Sequence, residues 1–127
     1  MHIPSGSSLT RESCLDSLKK AFVFFRCAED KPLIVYCNTW LLNPSHTSML
    51  SRPSNILDFM DMFHLVGVAE QEGFPDGWRI FGRDILKPIN EWAEDNRLKK
   101  AYKHFFLSGG KMTRGIDLLL FNGKQLL

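Results

Sequence analysis

The chain has 127 residues, 44% of them hydrophobic and 24% charged, which fits one domain able to bury a core without disulfides or metals and excludes a disordered chain. Sixteen basic residues against fourteen acidic ones leave a net charge of +2, too balanced to point to a nucleic acid or an anionic membrane surface. Cysteines at 14, 27 and 37 are odd in number and show no CxxC spacing, so free thiols in a reducing cytosol are the simplest reading, and the start of the chain shows no signal-peptide pattern.

In chain order, residues 1–8 read as the end of a strand and a polar turn, with Ser5, Gly6, Ser7 and Ser8 as loop formers. Thr10 is placed to cap a helix over residues 11–27, because Cys14, Leu15, Leu18, Ala21, Phe22 and Phe25 recur at helical spacing. Residues 33–42 form a continuous apolar run without alternation, the pattern of a buried central strand. Asn43, Pro44 and Ser45 break it, and residues 46–50 suit one helical turn. Ser54 is the cap of a helix over residues 55–63, with Ile56, Phe59, Met60 and Phe63 facing inward. Residues 65–69 and 78–81 read as two strands of an antiparallel hairpin across the turn of Gly73, Pro75, Asp76 and Gly77. Residues 88–93 fit a short helix or an extended connection. Asn96 caps a helix in which Leu98, Ala101, Tyr102, Phe105 and Phe106 make one stripe, stopped at Gly109 and Gly110. Residues 116–121 are a last apolar strand. Alternating helices and strands give an α/β fold, a mixed, largely antiparallel sheet flanked by helices, with one sheet edge short of a partner.

Chemistry-bearing residues are sparse. Cys37 would need a positioned base to serve as a nucleophile, and the pattern suits a buried structural thiol better. The histidines at 2, 46, 64 and 104 have no metal-ligand spacing, so no metal site is expected. Arg97, Lys99, Lys100, Lys103 and His104 are a basic cluster that alternates with apolar helix positions and reads as a solvated helix face. Glu70 and Glu72 flank the expected hairpin and read as turn charges, although they could meet an amine.

An ordered set of segments resembles the C-terminal domain of GNAT-like acyltransferases. It comprises His2-Ile3-Pro4-Ser5-Gly6, Tyr36-Cys37-Asn38-Thr39-Trp40-Leu41-Leu42-Asn43-Pro44, Ser54-Asn55-Ile56-Leu57-Asp58-Phe59, Phe81-Gly82-Arg83 and Gly109-Gly110. The resemblance spans nearly the whole chain, and it implies one domain over residues 1–127 that follows a separate N-terminal domain. It also implies an acyl-coenzyme A co-substrate and direct acyl transfer to an amine. The turn of Ser5, Gly6, Ser7 and Ser8 would then hold the pyrophosphate on outward-pointing helix N–H groups, or else be a polar turn that caps the helix. Asn38 would line the acyl-pantetheine cleft, or bond within its own strand, and His64 would be the nearest candidate for acid or base.

Two functions follow. The first is an acyl-coenzyme A dependent acyltransferase domain acting on an amine. The second is a non-catalytic binding or self-association module, in which the open sheet edge takes an N-terminal partner domain or a second copy. Neither reading involves nucleic acid or a membrane, and both suit a cytoplasmic protein.

Overall fold

A computed structural model describes residue 3 and residues 9–127. The elements run α1 (Arg11–Phe24), β1 (Leu33–Thr39), α2 (His46–Met49), α3 (Asn55–Met60), β2 (His64–Glu70), α4 (Trp78–Phe81), α5 (Arg97–Leu107) and β3 (Thr113–Phe121). Three 3-10 turns, at Trp40–Leu42, Gly82–Leu86 and Ile89–Glu91, join them. The three strands form one antiparallel sheet in the order β1-β3-β2, which gives the α/β class expected from the sequence.

Helix boundaries follow local cap chemistry. Oxygens of Thr10, Ser54 and Asn96 accept the N–H groups of Ser13, Leu57 and Lys99, and so satisfy orphan donors of the first turns of α1, α3 and α5. α1 stops at Phe24, three residues short of the expected end, because Arg26 turns left-handed at φ 55°. Cys27 N–H then donates to Phe22 O at 3.0 Å and Arg26 N–H to Val23 O at 3.1 Å, the paired bonds of a Schellman stop. An L-residue with a side chain is strained there, and glycine is not. Arg26→Gly should therefore raise stability by about 0.5–1 kcal/mol in denaturant titrations, whereas Arg26→Ala should not. α5 ends as expected, with Gly109 at φ 82°.

The sheet departs from the sequence reading in two places. Among the described strands β1 lies at the edge of the sheet beside a central β3, and the run ends when the Thr39 hydroxyl accepts Leu41 N–H and starts the 3-10 turn. Its apolar character on both faces has another cause, since Ile34 and Tyr36 are 63% and 55% exposed on the outer face. The expected hairpin is absent. Trp78–Phe81 is one helical turn, α4, in which Phe81 N–H bonds to Gly77 O and Arg79 pairs with Asp76. Trp78 and Phe81, three apart, are exposed and buried respectively, and Phe81 packs on Trp92 with ring centres 4.6 Å apart. β2 pairs instead with β3, which is central and starts at Thr113, three residues before its expected start.

The core has two larger clusters and a smaller one of Cys37, Leu42 and Phe59. Leu33, Leu119 and Phe121 on the inner sheet face pack against Leu18 of α1 and Met62 just past α3. Beyond the sheet end, Trp40, Phe81, Trp92, Tyr102 and Met112 form an aromatic cluster beneath α5. Within it Tyr102 stacks on Phe74, with centres 4.8 Å apart and planes 15° from parallel.

Candidate functional site

β1 borders a groove of about 740 Å³, within the usual range of small-molecule sites. One wall is α1, from Ser13 and Cys14 to Ala21, and the other is β1 from Leu33 to Tyr36. Phe59, Met62 and Phe63 close the base, and Ile3 and Leu9 reach in from the chain preceding α1. The wall is more apolar than its sequence suggests. Ser17 Oγ donates to Ser13 O at 2.9 Å and Ser13 Oγ to Thr10 O at 2.9 Å, so both hydroxyls turn back onto their own helix. Burial pushes the Cys14 thiol up, against a smaller opposing effect of its hydrogen bond with Ser13, which leaves the thiol neutral and adds no charge to the groove.

Among the residues singled out from the sequence, Ser5, Gly6, Ser7 and Ser8 lie outside the described residues. Asn38 is exposed on the outer face of β1, two residues beyond Tyr36, where the groove ends, and its side chain has no hydrogen-bond partner among the described residues. Its cross-strand partner is Ile116. His64 opens β2 instead of closing a helix, and its Nε2 sits 2.6 Å from the carbonyl oxygen of Leu127. The register places His64 opposite Leu118 and Leu118 opposite Tyr36, so His64 and Asn38 share the outer face. They stand two strands apart and two residues offset along the strand, about 12 Å at ordinary strand dimensions, too far to act on one atom together. Cys37 points the other way. It is 2% exposed on the inner face opposite Asp117, and burial holds its thiol up, which removes it as a nucleophile. Glu70 ends β2 opposite Thr113, and Glu72 lies in the exposed turn beyond it. Among the described residues no group of three or more His, Cys, Asp or Glu could hold a metal ion. Among the described residues no helix is long and apolar enough to cross a membrane.

Sequence reasoning missed the buried polar groups. His46 and Asn43 are fully buried. Nδ1 of His46 lies 3.2 Å from Leu41 O and Nε2 lies 2.5 Å from the Tyr102 hydroxyl. The arrangement suits a neutral ring that donates from Nδ1 and accepts the tyrosine proton at Nε2. Burial, the dominant cause, pulls the His46 pKa down to about 4, and Tyr102 is pushed up well above its usual value for the same reason. Asn43 ties this cluster to β3, since its Oδ1 accepts from the Thr113 hydroxyl at 2.9 Å.

Solved structures of acyltransferases superpose on this combination of sheet and helices. A crystal structure of an acyltransferase in complex with decanoyl-CoA matches with a TM-score of 0.75 and 25% identity, over 92% of this chain and 38% of that one. Another, in complex with CoA and 10C-teicoplanin, matches with a TM-score of 0.76 and 20% identity, over 94% of this chain and 39% of that one. A third, a mutant in complex with octanoyl-CoA, matches with a TM-score of 0.72 and 21% identity, over 91% of this chain and 38% of that one. The chain belongs to the GNAT-like C-terminal domain family, which it matches over residues 1–119, as the resemblance implied. No curated protein matches the sequence. The chain spans about two fifths of the length of the acyltransferases it resembles.

Proposed function

We propose that this domain is the acyl-coenzyme A binding part of an acyltransferase, and that the groove between α1 and β1 receives the acyl-pantetheine arm. The observation that carries this reading is the groove itself, an apolar channel beside a strand edge that no described strand covers. Leu18, Val35 and Phe63 offer apolar contact to an acyl chain. Similar acyltransferases are seen in complex with decanoyl-CoA and octanoyl-CoA, which supports a medium-length chain here. In this reading Ser5, Gly6, Ser7 and Ser8 hold the pyrophosphate ahead of α1, and Asn38 meets the arm where the groove ends. The acceptor is an amine, and transfer is direct, because the buried Cys37 offers no route through a covalent enzyme intermediate. His64 is the candidate to take the proton of that amine.

Calorimetry with decanoyl-CoA, coenzyme A and decanoate separates the contributions. Decanoyl-CoA should bind at least about tenfold more tightly than coenzyme A, because burying a chain of this length adds apolar area. Ser17→Trp fills the groove from an exposed position of α1. It should cost decanoyl-CoA about tenfold or more in affinity and leave the thermal midpoint nearly unchanged. Equal binding of decanoyl-CoA and coenzyme A, or an unaffected Ser17→Trp variant, would remove the groove from the site.

A second reading concerns partners. Ile34 and Tyr36 on the outer face of β1 are exposed apolar side chains, and so are Val66 in the irregular stretch of β2 and Leu65 and Val68, which the register sets on the other face, all between 50% and 63% exposed. We propose that a further domain, placed before this one in the chain, covers Ile34 and Tyr36 on the outer face of β1, consistent with the greater length of the similar acyltransferases. A second copy of the chain is the alternative occupant, and sedimentation of the isolated domain across a concentration series separates them. A monomer at all concentrations supports the covering domain, and a dimer supports self-association.

A further inference from the structure

The basic residues of α5 divide into two groups. Lys99 pairs with Asp95 at 2.9 Å, and Lys103 donates to Trp92 O at 2.9 Å beside Glu94, so these two charges are spent along the helix. Arg97, Lys100 and His104 lie at i, i+3 and i+7, on another face, and line a cleft of about 490 Å³ between α5 and the segment from Ser48 to Ser51. No carboxylate lines that cleft. Arg97 donates to Ser51 O at 2.6 Å and Pro53 O at 3.2 Å, so its guanidinium is fixed in place by neutral acceptors and its charge is not neutralised. Lys100 and His104 make no side-chain hydrogen bond or ion pair among the described residues, and both are exposed. Met49, Leu50, Ala101 and Phe105 supply an apolar floor, and Phe105 is half-buried with one flank in the cleft.

A solvated helix face would scatter its cations or pair them, as the opposite side of α5 does. Here an arginine locked by carbonyls, a lysine and a histidine converge on a concave surface with a hydrophobic base. The cleft is of small-molecule size and too small for a protein segment with its own fold. A phosphate monoester carries close to two negative charges at neutral pH and three strong acceptor oxygens, which suits a fixed arginine, a free lysine and an imidazole better than a single carboxylate does.

We propose that the cleft between α2 and α5 binds a small organic phosphate monoester, with Lys100 and His104 on the phosphate, Arg97 supplying fixed positive potential, and Phe105 and Leu50 against the carbon portion. This site is separate from the α1–β1 groove, and shares no lining residue with it.

The experiment is an amide-resolved NMR titration of the chain with phenyl phosphate, with inorganic phosphate and benzyl alcohol as the two partial probes. Phenyl phosphate should give saturable shifts at Lys100, Ala101, His104 and Phe105, and each partial probe should bind at least about tenfold more weakly. The Lys100→Ala/His104→Ala double variant should weaken phenyl phosphate about tenfold or more. Lys100→Met, which keeps the aliphatic stem, provides the same reading should the double variant lose its fold. Ser17→Trp should leave phenyl phosphate binding unchanged, whatever the groove proves to bind. Shifts that do not saturate, equal affinity for inorganic phosphate, or undiminished binding by both cleft variants would overturn the proposal.

Discussion

Gly115→Ala is expected to destabilise the domain by about 3 kcal/mol or more, at the upper end of overpacking effects in a close-packed core. Gly115 lies in β3, the central strand, opposite Thr39 of β1 and Val68 of β2. A Cβ built there would stand 2.1 Å from the carbonyl oxygen of Leu42, 2.7 Å from the Leu42 Cβ and 2.8 Å from Oδ1 of Asp117. None of these atoms can give way cheaply. The Leu42 carbonyl belongs to the 3-10 turn that ends β1, and Leu42 is itself 1% exposed. Asp117 is 5% exposed, and its Oδ1 has no hydrogen-bond partner among the described residues, so pushing it deeper adds to an existing desolvation cost. The glycine is needed because the backbone after β1 crosses directly over β3. Urea denaturation checks it, and a variant within 1 kcal/mol of the parent would show that the turn relaxes freely.

The second large effect is a loss of stability in acid that traces to His46. Its folded pKa of about 4 lies below the usual imidazole value near 6.5, so the unfolded chain binds the proton first as pH falls. Stability from the neutral buried ring is therefore complete above pH 6.5, and is lost progressively from there down to about pH 4. At 1.36 kcal/mol for each pH unit of that gap, the loss comes to about 3 kcal/mol. Protonation would also turn Nε2 from the acceptor of the Tyr102 hydroxyl into a second donor, with no acceptor beyond that hydroxyl oxygen. Asp117 works in the opposite direction, because burial raises its pKa and its protonation favours the folded state in acid. The comparison must therefore be a difference. The parent minus His46→Gln, each measured by urea unfolding between pH 4.5 and 7, isolates the imidazole. The parent should lose stability steeply across that range, and His46→Gln, less stable at pH 7, should have a shallower slope.

Legibility in the sequence followed the range of the interactions. Thr10, Ser54 and Asn96 act on N–H groups three residues ahead, so the starts of α1, α3 and α5 could be read directly. The end of α1 could not, because an arginine and not a glycine takes the left-handed position. Strand order was hidden for a different reason. A run that is apolar on both faces normally means a central strand, yet Ile34 and Tyr36 are exposed on a strand that lies at the edge among the described ones. Trp78 to Phe81 offered β-forming residues to a hairpin, but Phe81 gains more from burial on Trp92, some ten residues on, than a short exposed strand could return. The groove gathers Ile3, Ser17, Tyr36, Phe63 and Leu119, and nothing in local spacing connects them. The His46–Tyr102 contact joins residues 56 apart, and each had a satisfactory local reading, as part of a helical turn and as one more apolar position in a stripe. Family likeness supplied what spacing could not, because the resemblance rests on the order of several weak segments along the chain.

The most direct test of the central claim is an amide-resolved NMR titration of the domain with decanoyl-CoA. The groove assignment predicts saturable shifts that cluster at Ser13, Cys14, Ser17 and Ala21 on α1 and at Leu33 to Tyr36 on β1, with coenzyme A alone moving the start of α1 but not Ala21 or Phe63. Saturable shifts confined to α5 or to β2, with α1 and β1 unmoved, would contradict it.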